Sequence, residues 1–202
     1  MKRILIIIAS LLSLDSLAED QNPIYHNFYS DTICIQAQAL SENIISNKTL
    51  GGFPLYDCDN IIEINGGLYD DIVRVAYLYL NVDKRVEVSV YSLGKIVTWP
   101  NIHSHLLIVA NKGEEMQRNR IMLLINEMDC KLKSIIVVAE YLYGEDSIDI
   151  MYTKRRKNKF MQMDKSIYSD NIIESQGISK RPKDGELFFV FHISKEGYII
   201  KL

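Results

Sequence analysis

The chain has 202 residues, 48% of them hydrophobic and 24% charged, with a formal net charge of −3. That length is enough for one ordinary domain with a real core, and the low proline and glycine content leaves no linker, low-complexity tract or internal repeat. The acidic balance argues against nucleic acid as a partner.

The chain opens "MKRILIIIASLLSLDSLAED". Lys2 and Arg3 precede an apolar run from Ile4 to Leu14, which is shorter than the roughly 20 residues needed to cross a bilayer. Ser16-Leu17-Ala18 has the small-x-small pattern of a signal peptidase site. A buried N-terminal helix would need an amphipathic run, and this one is apolar throughout. The reading is therefore a signal peptide over 1–18, cleavage before Glu19, and a single domain over 19–202 in the periplasm or secreted. No cysteine stands at the cleavage point, which argues against a lipoprotein, and no second long apolar stretch predicts membrane insertion.

The remainder carries Cys34, Cys58 and Cys130. In an oxidising compartment three cysteines allow one bridge. The shortest loop pairs Cys34 with Cys58 and leaves Cys130 reduced and buried. Asp57 and Asp59 flank Cys58 and disfavour its thiolate, which argues against a nucleophilic role. No C-x-x-C pair supports zinc or thioredoxin-type chemistry.

"SDTICIQAQALSENIISN", residues 30–47, reads as a helix, with Ile33, Ala37, Leu40 and Ile44 on one face. "NIIEIN", "DIVRVAYLYLNV" and "RVEVSVYS" then read as strands of an antiparallel meander, the last alternating Val86, Val88 and Val90. "SHLLIVA" reads as another strand. "EEMQRNRIMLLINEMD", residues 114–129, reads as a second helix with acid at its start. "LKSIIVVAEYLYG" with "SIDIMYT", and "ELFFVFHIS" with "GYIIKL", read as hairpins. The expected architecture is α+β: a single compact domain, a mostly antiparallel sheet of meander and hairpins, and about two helices.

Chemistry is sparse. His103 and His105 stand two apart in "WPNIHSHLL". On a strand they share a face, as two metal ligands can. The spacing suggests no third ligand, and a polar strand entrance beside Trp99-Pro100 explains them as well, so no metal or other cofactor is expected. His26 and His192 are isolated. The acidic pairs Asp70-Asp71, Glu114-Glu115 and Glu145-Asp146 fall at expected turns or helix starts. No G-x-S-x-G, Walker A, G-x-G-x-x-G or H-E-x-x-H occurs, and no catalytic residue is assigned.

"TKRRKNKF" gathers Lys154, Arg155, Arg156, Lys157 and Lys159, a candidate anion or partner contact or a solvated hairpin end. Residues 19–71 hold nine acidic residues against Lys48 alone. Such a lopsided field steers association with a charged partner. The expected function is an exported, non-enzymatic binding protein in the format of an immunity protein or inhibitor. It would meet a basic toxin or enzyme through Asp57, Asp59, Asp70 and Asp71. The alternatives are an exported hydrolase of wall or saccharide material using His103, His105 and an acid, and a subunit of a surface assembly.

Overall fold

The computed structural model describes residues 25–29, 33–35, 40–51, 61–79, 87–112, 120–143, 147–168 and 185–202. The expected signal segment, Asp57, Cys58 and Asp59 lie outside them. The short strands β1 (Tyr25–Asn27), β2 (Thr49–Leu50) and β3 (Ile62–Glu63) precede helix α1 (Gly67–Tyr79). Eight strands follow: β4 (Val88–Val97), β5 (His103–Asn111), β6 (Arg120–Met128), β7 (Lys131–Tyr143), β8 (Ser147–Arg156), β9 (Lys159–Tyr168), β10 (Glu186–Ile193) and β11 (Ile199–Lys201). From β3 to β11 each strand lies beside its neighbour in sequence, all antiparallel. β1 pairs with the first half of β7, and β2 with β8.

The expected α+β balance is overturned: the fold is predominantly antiparallel sheet, with one short helix among the described residues. Both expected helices are extended where they are described. Cys34 bridges Lys131 and Ile44 bridges Lys95, so each end of the 30–47 stretch lies along a sheet strand. In the 114–129 stretch, Arg120–Met128 is β6. Met122 to Ile125 are four consecutive buried apolar residues. A strand covered on both faces shows no period of two, so such a run imitates a buried helix. The reverse error falls on "DIVRVAYLYLNV", whose described part lies entirely in α1. Its β-branched content suggested a strand, but Leu68, Ile72, Val75 and Ala76 recur at helical spacing and all four are buried. Asp70 in the first turn favours the positive end of the helix dipole, and the Tyr69 hydroxyl donates to the Val88 carbonyl at 2.6 Å, tying α1 to β4.

Two apolar layers follow from the alternation along the strands. On the outer face, Val90, Leu107, Val109, Leu123 and Ile135 pack with the buried side of α1. On the inner face, Leu106, Ile108, Leu124 and Ile136 pack with Phe160, Phe191 and Ile193 from the far end of the sheet. The sheet therefore curls over its inner face. The Trp99 indole N–H donates to the Ile193 carbonyl at 2.8 Å, and the Asn27 side chain bonds both the N–H and the carbonyl of Ile199 at 2.9 Å. A polar chain crosses the inner face: Thr98 Oγ1 lies 2.9 Å from Ser104 Oγ, which donates to Asn126 Oδ1 at 2.6 Å. Asn126 Nδ2 donates to Ser134 Oγ at 2.8 Å, and Ser134 Oγ to the Gly197 carbonyl at 2.6 Å. Each buried member has a partner, as burial of polar groups requires.

Gly94 lets the 42–45 segment lie against β4. Its φ is +147°, and a Cβ there would come within 2.3 Å of the Asn43 carbonyl oxygen. The Lys95 N–H donates to that oxygen at 2.7 Å, and the Ile45 N–H to the Lys95 carbonyl at 2.8 Å. This contact brings Glu42 to the site described next.

Candidate functional site

β5 carries His103 and His105 on its outer face, two residues apart and therefore on the same side of the strand. Across the ladder His103 faces Glu127 of β6 and Val97 of β4, while His105 faces Ile125 and Lys95. One ligand atom from each of His103, His105 and Glu127 lies within 4.8 Å of the others. The two rings are nearly parallel, at 10°, with centroids 6.3 Å apart. His103 is exposed, whereas His105 is 1% exposed and Glu127 3%.

Glu127 is aimed by the hairpin that follows it. Asp129 and Cys130 both have positive φ, 54° and 62°, the backbone of a tight two-residue connection normally made with Asn-Gly or Asp-Gly. The Cys130 N–H donates to the Glu127 carboxylate. That bond occupies one oxygen of the carboxylate.

His105 is the exception to the polar accounting. Among the described residues, the buried side-chain atoms without a hydrogen-bond partner are Nδ1 and Nε2 of His105, Nη1 of Arg155 and Oε1 of Gln162. Burial pushes the His105 imidazole down to about 4. The negative charge of Glu42 opposes the shift, and the positive charges of His103 and Lys95 add to it. The ring is therefore neutral at physiological pH, with a lone pair available. Glu42 is ion-paired with Lys95. That hydrogen bond holds its carboxyl below the usual range against an opposing effect of burial, helped by the charge of Lys95 and, in acid, by those of His105 and His103. Two imidazoles and a carboxylate form a nitrogen–oxygen donor set of the kind that holds zinc, copper, iron or nickel, not calcium or magnesium.

The other candidate residues are dispersed. Asp70 is exposed on the first turn of α1, and Asp71 accepts from Arg74 Nη2 at 3.0 Å. The basic run forms the β8–β9 hairpin end, but its members diverge. Lys154, Arg156, Lys157 and Lys159 are exposed, whereas Arg155 is half-buried opposite Phe160 and its guanidinium pKa is lowered by burial. Cys34 and Cys130 are free thiols. Cys130, expected to be buried, is exposed because it occupies the two-residue turn between β6 and β7. Cys58, the partner expected for Cys34, lies outside the described residues.

Sequence reasoning missed Glu127 and Glu42. Their proximity to the histidines depends on strand register and on the close approach at Gly94, and neither leaves a spacing signal. Set against protein families, curated proteins and solved structures, the chain matches none of them.

Proposed function

We propose that the protein is exported and acts by binding a protein partner without catalysis, in the manner of an immunity protein or inhibitor that covers a toxin or an envelope-acting enzyme. The observation that supports this reading is an apolar stripe along the end of β4. Ile44 is 65% exposed and Val97 64%. Ile44 is the bridge partner of Lys95, and Val97 is two residues further on the same face. Trp99, just past the strand end, is also exposed, although its indole N–H turns to Ile193. Exposed apolar groups rimmed by charge characterise interaction surfaces. Glu42, Glu63 and Asp70 are exposed members of the acidic segment and would speed encounter with a basic partner.

The test is capture from the native envelope followed by association kinetics across a salt series. Val97→Asp and Ile44→Asp should abolish capture. Asp70→Asn should slow association, with the difference shrinking as salt screens charge over about 8 Å. Capture lost only on changing Lys154 or Lys159 would transfer the contact to the basic hairpin.

One observation favours a second reading, the exported hydrolase: Glu127 supplies an acid beside His103 and His105. Turnover of a wall substrate that disappears in His103→Ala would replace the binder with the enzyme.

A further inference from the structure

We propose that His103, His105 and Glu127 form a binding site for a divalent first-row transition-metal ion, with zinc as the reference ion. The inference does not depend on the partner-binding reading.

Three independent observations support it. The first is register. β5 and β6 pair so that the two histidines and the glutamate fall on one face, with ligand atoms from all three within 4.8 Å of one another. The second is the unmet demand of His105, whose buried ring nitrogens have no partner. A buried polar group without a partner costs free energy. The same strands show that this is not general laxity, because Ser104, between the two histidines, and Asn126, next to Glu127, are both fully engaged on the opposite face. The third is the holding of Glu127. The Cys130 N–H binds one carboxylate oxygen and leaves the other to coordinate. An outer hydrogen bond of this kind orients a metal ligand.

Zinc bonds of 2.0–2.2 Å place tetrahedral ligand atoms roughly 3.3 Å apart. The triad must therefore close by up to about 1.5 Å, and the exposed His103 ring is the member able to swing inward. Three protein ligands leave at least one further coordination position, on the open side next to His103. The imidazoles contribute no charge when neutral, so Glu127 supplies the negative charge, with the Glu42–Lys95 ion pair adjacent.

The experiment is titration of the purified chain with Zn2+ and with Co2+, read by calorimetry, thermal shift and the Co2+ visible spectrum. The expected result is one ion per chain, a raised melting temperature, and a nitrogen–oxygen Co2+ spectrum. His103→Ala lies at an exposed position and should fold normally while weakening binding at least 10-fold, the lower end of what even outer-shell changes cost. Glu127→Gln keeps an acceptor for the Cys130 N–H and should weaken binding similarly. His192→Ala on β10 should change nothing. Absence of saturable binding would overturn the proposal. So would affinity unchanged in both His103→Ala and Glu127→Gln, or a Co2+ spectrum with thiolate charge-transfer bands, which would place the ion on cysteine.

Discussion

The strands β5 and β6 present two polar regions at the same level, back to back. On the inner face, Thr98, Ser104, Asn126, Ser134 and the Gly197 carbonyl form a closed relay in which each buried hydroxyl and amide has a partner. On the outer face, His103, His105 and Glu127 converge, but both nitrogens of His105 are unmet. The two regions are built from alternate residues of the same segments, so local strand geometry does not separate them. A closed network specifies register, because a one-residue slip would bury all its members unpaired. An open cluster held in place by that register is free to bind something else. The inner relay thus acts as the frame, and the outer triad is what it positions.

The sharpest way to break the contrast is to cut the relay at its centre. Asn126→Ala removes one hydrogen bond from each of Ser104 and Ser134, which keep Thr98 and the Gly197 carbonyl as partners, and leaves a cavity where a well-packed side chain stood. A lost hydrogen bond costs about 0.5–1.5 kcal/mol and the cavity adds to that, so a loss of about 3–4 kcal/mol is expected in urea unfolding. A loss under 1 kcal/mol would show that the relay does not frame the fold.

Acid should act on the other face. The ring of His105, with Glu42, His103, Lys95 and Glu127 about it, titrates near 4 in the folded chain, against 6.5 in an unperturbed histidine. Between those values the unfolded chain binds a proton that the folded chain refuses. Stability is therefore fully present above pH 6.5 and is lost as pH falls towards 4. At 1.36 kcal/mol per pKa unit the loss is about 3 kcal/mol. Metal-free protein compared by denaturant melts at pH 7 and pH 4.5 should show most of it, and His105→Leu should lose less over the same interval.

At pH 7, His105→Leu should leave the metal-free protein unchanged or more stable by about 1 kcal/mol, because it replaces a buried group lacking partners with an apolar one. Destabilisation beyond 1 kcal/mol would mean that His105 is an integral core residue. The smallest effect concerns the turn that aims Glu127. Cys130 sits at φ 62°, where a side chain costs about 1–2 kcal/mol, part of it offset by the chain entropy of glycine. Cys130→Gly keeps the N–H that holds Glu127 and should raise stability by about 0.5–1 kcal/mol.

The hairpins were legible where turn residues separate apolar runs of strand composition, as in β7–β8 and β10–β11. Helix and strand were confused where burial hides the period. The 67–79 helix has enough β-branched residues to resemble a strand, and the doubly covered Met122–Ile125 run resembles a helix. For the site, the shared face of His103 and His105 could be read from spacing alone. Glu127 could not, because a residue on an expected helix has no register with a strand. Only the pairing of His103 with Glu127 brings the carboxylate to the histidines.

The consecutive order of the strands from β3 to β11 has a kinetic consequence. Every ladder along that path closes between chain neighbours, so the sheet can grow by adding one hairpin at a time without long loop closures first. Assembly should therefore be quicker than for a sandwich with crossing connections. The exceptions lie off that path: β1 on β7, β2 on β8, and the seam where Asn27 meets Ile199, 172 residues apart in the chain; the seam should form after the rate-limiting barrier. Removing it by Asn27→Ala should accelerate unfolding and leave the refolding rate nearly unchanged.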